Sequence, residues 1–444
     1  MKAEIRFFWA RLNANYWFYP ALFAILAALL AFGTVWLDRN GYGAFLSEAQ
    51  WLVPVGPSGA SDILSVMAAA MIGVASTVFS ITLVAVTYAS GNYGPRLLTN
   101  FLEDKGNQVS LATFICTFVY ALIVLRSVRA GDELPAGVGA ESATTLPGFA
   151  PQLSLLGAYI LVGLCVAVLV FFLNHVPSSI RINKVLESIG TRLLDAVRDA
   201  YPVEDSFADA REPQGGEPLP ATATGYVQLI DFEDLVKTAR KHDCTLSLRV
   251  RTGDFVHPGL PLLDVKGCAV DDIEASVRED FTLGSVRTPE QDPQFLIDEL
   301  VEIGLRALSP GINDPFTAIT ALHWLGAAIS EIGRRDLRKT VCDDDADDCP
   351  VIPRSDGFDH FVARGFGSIR GGVATSPVAA LVMLDTISNA AIPIVHDGRR
   401  QMLIDEGRQL MEQAKIDLKG PDLAKVRERF DRFERTFGET ESED

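Results

Sequence analysis

The stretch that decides the fold is residues 63–90, ILSVMAAAMIGVASTVFSITLVAVTYAS. It carries no charged residue and is longer than the ~20 residues a membrane-crossing helix needs. Wound as a helix, it is uneven around its circumference. Ala70, Gly73, Thr77, Ser80, Val84, Thr87 and Gly91 recur at alternating spacings of three and four, which places them on one stripe. Ile72, Phe79, Leu83 and Val86 fall on a neighbouring stripe, and Met71, Val74, Val78 and Ile81 on another. One face is small and hydroxyl-bearing, with bulky apolar flanks. Two readings follow. Small residues let helix backbones approach in lipid, so the stripe suits a helix–helix seam. Hydroxyls separated by narrow apolar rings also line pores, which makes Gly73, Thr77, Ser80, Val84, Thr87 and Gly91 pore-lining candidates in an oligomer.

Working outward, three more uncharged runs flank this one: 16–37, 109–125 and 153–173. All four fall within the first 176 of 444 residues, and the other 268 are charged and amphipathic. The expected fold is an α-helical membrane domain of four transmembrane helices (1–176) followed by a soluble α+β cytoplasmic domain (221–437). Between them lie a juxtamembrane amphipathic helix (177–202) and a linker (203–220), and residues 438–444 form a disordered tail. The first run is too long for the apolar core of a cleaved leader, and no small-residue cleavage site follows it. Lys2, Arg6, Arg11, Arg96, Lys105, Arg181, Lys184 and Arg192 outnumber Arg39, Arg126 and Arg129 on the other side. That bias favours a multi-pass protein of the bacterial inner membrane with both termini cytoplasmic.

Composition excludes some functions. The formal net charge is −18, which argues against a nucleic-acid partner. The partners expected are the lipid bilayer, further copies of the chain and small inorganic ions. In a reducing compartment the six cysteines should be free thiols. No Asp, Glu, Lys, Arg or His lies within the four uncharged runs, which argues against proton-coupled transport. There is no phosphate-cradling Gly-Lys-Ser/Thr loop, no Gly-x-Ser-x-Gly elbow and no His-Glu-x-x-His pair. No enzyme activity, cofactor or metal is therefore expected. The five aspartates between Cys342 and Cys349 lack the glycine and terminal glutamate of an EF-hand, and His175 has no partner at ligand spacing.

After residue 90, Gly91, Asn92, Gly94 and Pro95 break the helix, and Arg96 follows as a pore-mouth candidate or a positive-inside anchor. Ile182, Val185, Leu186, Ile189, Leu193 and Val197 then repeat at helical spacing, giving a helix that lies along the membrane or packs in an oligomeric collar. In the soluble half, strands are expected at 225–230, 245–250, 260–265, near 281–286 and at 358–367. Asp231 should cap a helix over 232–241, and an acidic helix follows at 270–280. Helices are expected at 293–308 and from Pro315 to Gly333, with Asp314 as the cap between them. Others are expected at 377–390, 394–415 and 422–437. A cluster of Arg287, Asp292, Arg306, Asn313 and Asp314 could bind a small ligand or lock a helix–turn–helix in place.

The string Arg306-Ala307-Leu308-Ser309-Pro310-Gly311-Ile312-Asn313-Asp314-Pro315-Phe316-Thr317-Ala318 resembles the signature of a bacterial family of predicted membrane proteins known chiefly as a domain of unknown function. Arg287-Thr288 with Gln291-Asp292-Pro293, the Gly253-Asp254-Phe255-Val256 turn and Tyr93-Gly94-Pro95-Arg96-Leu97-Leu98 are similar to its other shared stretches. The resemblance covers residues 10–415 and implies an integral inner-membrane protein. It carries no reaction or substrate. Two function classes stay open: an oligomeric ion channel with 63–90 lining the pore and a cytoplasmic regulatory domain, or a membrane-anchored sensor or scaffold without transport.

Overall fold

A computed structural model describes residues 15–42, 55–94, 104–129, 148–203, 214–339, 341–342 and 349–438. The chain divides into two units, residues 1–181 and 182–444.

In the first unit the apolar runs become four helices: α1 (Phe18–Arg39), α2 (Pro57–Tyr93), α3 (Lys105–Ser127) and α4 (Gln152–Ser179). Among the described residues these are the helices long and apolar enough to cross a membrane. Each extends past its uncharged run. The added turns carry Asp38, Asp62, Lys105, Arg126 and His175, so the absence of Asp, Glu, Lys, Arg and His holds only for the runs and not for the whole helices. α2 has 37 residues and is about 55 Å long at 1.5 Å per residue.

α3 is the centre of this unit and packs on the other three helices. Ala27, Ala31, Ala60, Leu64, Tyr120, Ala121, Leu155 and Ala158 form one part of its core. Met71, Ala75, Val78, Phe114, Cys165 and Phe172 form another. Small residues recur where helices meet, as close packing in lipid requires.

Two carboxylates fix the ends of these helices. Asp38 caps α4 from α1: its oxygens accept from the backbone N–H groups of Leu153 and Ser154, both at 2.9 Å, and from Ser154 Oγ at 2.7 Å. Asp104 caps α3 through Gly106 N at 2.8 Å and pairs with His175 Nε2 near the end of α4, also at 2.8 Å. A helix N-terminus leaves N–H groups unsatisfied, and an anion there is stabilising.

The second unit begins with α5 (Ile182–Ala200), continues through β1 (Glu217–Pro220), β2 (Gly225–Ile230), α6 (Phe232–Lys241), β3 (Thr245–Leu248), β4 (Phe255–Val256), β5 (Pro261–Lys266), α7 (Glu274–Glu279) and β6 (Phe281–Gly284), and closes with α8 (Pro293–Ala307), α9 (Pro315–Gly333), β7 (Val351–Ile352), α10 (Phe358–Val362), α11 (Ser368–Ala374), α12 (Pro377–Ala391), α13 (Asp397–Asp417) and α14 (Gly420–Gly438). One sheet has the order β1-β5-β3-β7 and the other β4-β2-β6. β3 runs antiparallel to β5 and parallel to β7. β1, β4 and β7 are four, two and two residues long; strands so short leave no alternation to read.

Four expectations are corrected. The apolar face of the amphipathic helix is not kept for the membrane or for an oligomeric collar: Val185, Leu186, Ile189, Leu193 and Val197 are buried against α8 and α9 within the second unit. Gly190 permits this contact, because a Cβ there would lie 2.2 Å from the Trp324 ring. Residues 358–367 are helical rather than a strand, with a π-helical turn over Ala363–Gly367 joining α10 to α11. Phe358, Phe361, Gly365, Ile369 and Val373 are buried at spacings of three and four, a helical period. The acidic segment 270–280 is a 3-10 turn (Val270–Asp272) followed by the short α7. Cys342 and Cys349 are joined in a disulfide and so are not free thiols. Both side chains sit in the core of the β-rich module with Cα atoms 5.9 Å apart, within bridging reach. Residues 343–348 between them and the tail 439–444 lie outside the described residues.

α5, α9 and α12 run parallel. Gly190 meets Trp324 and Arg198 Nε is 3.4 Å from Glu331, so α5 and α9 advance together. Gly326 meets Thr386 and Gly333 meets Ile394, so α12 does the same. α9 is the hub, burying Ala318, Leu322, Leu325, Ile329 and Ile332.

Candidate functional site

The stripe on α2 points away from the other helices of its unit. Gly73, Thr77, Ser80, Thr87 and Gly91 are exposed, and Val84 is 68% exposed. No atom lies within 4 Å of a Cβ built at Gly73 or Gly91. The hydroxyls are satisfied within the helix: Thr77 donates to Gly73 O at 3.0 Å, Ser80 to Ser76 O at 2.8 Å and Thr87 to Leu83 O at 2.8 Å. The face that packs inside the unit is the opposite one, with Leu64, Met71, Ala75, Val78, Thr82 and Val86 buried. Among the described residues of this unit the stripe is therefore not a seam between the four helices. Arg96 lies outside the described residues.

The suspected charged cluster separates into two. Arg287 and Asp292 sit at the N-terminal end of α8, where Asp292 accepts from Phe295 N as the cap. Arg306, Asn313 and Asp314 sit at its C-terminal end, about 21 Å away along the helix axis. Asp314 caps α9 through Phe316 N and Thr317 N, both at 3.2 Å. Asn313 has φ 52°, the left-handed conformation that Asn tolerates better than most residues, and it closes the turn by donating to Ser309 O at 2.9 Å. This half is a helix–turn–helix lock.

Around Asp292 the chain gathers residues that the sequence did not connect. Arg287 Nη2 is 2.5 Å from Asp292, and its Nη1 is 2.5 Å from Asp298. Arg364 grips Asp298 with Nε and Nη2, both at 2.7 Å. Arg251 pairs with Asp356, to which Gln294 Nε2 donates at 2.6 Å. Gly253, at φ +91°, brings its turn against Asp292, because a Cβ there would fall 2.2 Å from Oδ2. Burial pushes the Asp292 carboxyl up against the pull of Arg287. It pushes Tyr201 up to about 12 and the Lys339 ammonium down to about 8. Lys339 lies over the Phe232 ring at 4.3 Å. Tyr201, Arg251, Asp292, Gln294, Lys339 and Asp356 line a cavity of only about 30 Å³, room for a water molecule rather than an organic ligand. The network binds the β-rich module to α8 and the segment after β7. Bidentate Arg–carboxylate pairs supply geometry for such a lock. Among the described residues no group of three or more His, Cys, Asp or Glu side chains could hold a metal ion.

A roomier feature lies beside the π-helical turn. Asp359, Arg370, Met402, Asp405, Glu406 and Gln409 line an open groove of about 470 Å³. Arg370 Nη1 donates to both Glu406 oxygens at 2.8 Å, and burial holds the Glu406 carboxyl above its ordinary range. π-helical turns occur frequently at functional positions. The strand expected across 358–367 hid this groove, since only a helix brings Asp359, Ala363 and Arg370 onto one side.

Residues 13–389 match the family model described as "Predicted membrane protein (DUF2254)", and the chain belongs to that family. It is 32% identical over 356 residues to "Uncharacterized protein Rv1290c" of Mycobacterium tuberculosis and to "Uncharacterized protein Mb1321c" of Mycobacterium bovis. The matched stretch covers 78% of this chain and 66% of each relative, just under two thirds of their length. No solved structure matches.

Proposed function

We propose that this membrane protein is one subunit of a homo-oligomer in which α2 from several copies surrounds a passive path for small inorganic ions. The second unit acts as its regulatory domain, without a reaction of its own. The observation that carries this reading is the outward α2 stripe. Its small residues and self-satisfied hydroxyls face away from the bundle, while the bundle interior around α3 is filled by packed side chains. A path through a single copy is therefore disfavoured, and a path between copies has a ready lining. Val84, exposed between Ser80 and Thr87, supplies an apolar ring where dewetting closes the path. The Lys/Arg bias supports a placement in the inner membrane with both termini cytoplasmic.

The test is ion flux through reconstituted protein. Val84→Ser should raise the leak, because a hydroxyl there favours water. Phe79→Ser should not, since Phe79 packs beside Tyr16 with ring centroids 6.3 Å apart. If neither wild type nor Val84→Ser passes cations or anions, the channel is abandoned for a membrane-anchored sensor or scaffold. The groove beside Ala363–Gly367 is the observation that favours that second reading.

A further inference from the structure

α5 begins at Ile182, three residues after α4 ends at Ser179. At no more than ~3.6 Å per residue, the chain holds the first turn of α5 within about 11 Å of the last turn of a membrane-crossing helix. What accompanies that first turn follows from the packing of the second unit alone. Because α5 and α9 run parallel, with Gly190 against Trp324, eight residues back from each brings Ile182 level with Phe316. Because α9 and α12 run parallel, with Gly326 against Thr386, Ala318 comes level with Val378. The C-terminal end of α8 reaches the same place through the 308–314 turn, and Gly372 lies against Leu305 and Leu308 there.

That end of the unit is apolar at its surface. Phe316 is 72% exposed, Val378 46%, Ile312 44% and Leu305 38%. Single exposed apolar side chains are ordinary, but a group at one tip is a surface with a partner. The tip is also rigidly presented. Asp314 holds the first turn of α9 with two backbone bonds and a third from Thr317 Oγ1 at 2.6 Å. Asn313 and Ile312 donate to Ser309 O at 2.9 and 3.0 Å. Ile312 and Phe316 are thus fixed outward by the same turn that carries the family-like string.

We propose that this tip, formed by Leu305, Ile312, Phe316 and Val378, docks into the headgroup region of the lipid bilayer. Aromatic and aliphatic side chains at the end of a charged domain gain from the acyl–headgroup boundary, as interfacial anchors do. The tether selects lipid over a free protein partner, because it confines the tip near the membrane whether or not another molecule is present. The docking makes α9 the member of the unit that registers the bilayer directly.

The experiment uses the full chain in phosphatidylcholine/phosphatidylglycerol nanodiscs. Phe316→Cys, Ile312→Cys and Val395→Cys are each labelled with a small fluorophore, and the signal from native thiols in the labelled wild type is subtracted. Val395 is 90% exposed and follows α12 at its far end, so it serves as the distal control. Nitroxide carried on lipid headgroups should quench the labels at 312 and 316 strongly and the label at 395 weakly. Equal quenching at all three positions would overturn the proposal. So would unquenched labels at 312 and 316, and if iodide in the water also failed to reach them, the tip would be assigned to a protein contact. Both tip positions are exposed, and agreement between them guards against a local distortion at either.

Discussion

Two lines of hydroxyl-bearing residues run along neighbouring helices of the first unit and meet opposite fates. On α2, Thr77, Ser80 and Thr87 face outward and bond only to their own helix. On α3, Ser110, Thr113, Thr117 and Tyr120 face inward and are buried. Some of the inner ones reach across. Thr117 Oγ1 lies 3.1 Å from Cys165 Sγ on α4. Tyr120 Oη meets Thr34 Oγ1 of α1 at 3.0 Å and donates to Ser154 O at 3.0 Å. Ser154 in turn bonds Asp38. Helical spacing shows that residues share a face, but which way the face points depends on what the other helices need to cover. α3, packed on three neighbours, has polar groups that stitch helices together. α2, with one side free, keeps its own to itself.

The largest expected difference tests that contrast directly. A Cβ at Gly157 would fall 2.6 Å from Tyr120 Oη, whereas Gly73 faces open space. Gly157→Leu should therefore destabilise the unit by about 3 kcal/mol through overpacking, measured as detergent-phase thermal unfolding. Gly73→Leu should leave the unfolding of the dispersed single chain unchanged. Equal losses would break the comparison. Next in size is Asp38→Ala, which removes three hydrogen bonds to the start of α4. It should cost about 2 kcal/mol, as expected for a charged cap, and a loss below a few tenths would show that the inner network is dispensable. Smaller again is Tyr120→Phe, at about 1 kcal/mol. Thr87→Val is the least, within about 0.5 kcal/mol as for surface changes generally. If Thr87→Val matched Tyr120→Phe in dispersed protein, the outer stripe would be stitched to something within the chain.

Much of this was legible in residue order. The four apolar runs found the membrane helices, and Asp231, Asp314 and Pro315 located helix starts that the structure shares. Legibility failed where a signal needs a third dimension. The helix α3 begins four residues before its uncharged run, and the buried Asn107 and Gln108 in that added turn show an inward polar face that hydropathy alone does not mark. Gly253 and Asp292 stand 39 positions apart, and only the fold puts one against the other. Asp298, Asp356 and Arg364 gave no spacing signal because each belongs to a different element. The Cys342–Cys349 bond was set aside on an argument about compartment, which says nothing of two sulfurs held together by a common core. Residues 358–367 misled because Phe-Val-Ala-Arg-Gly-Phe-Gly, with aromatic and β-branched residues beside two glycines, reads locally as a short strand, and its helical period is plain only when Ile369 and Val373 are added.

The length of α2 sets a constraint of its own. A rod of about 55 Å cannot fit inside a hydrocarbon slab about 30 Å thick, even when leaning at 40°, the steep end of observed tilts. Its projection on the membrane normal is then still about 42 Å, so at least 12 Å of it stands in the headgroups or beyond. The uncharged run 63–90 is about 40 Å long and covers about 31 Å of the normal at that tilt, so it fills the slab by itself. The surplus then falls on the turns outside the run, among them the one before Ile63, where Asp62 is exposed and a charged side chain has every reason to remain in water.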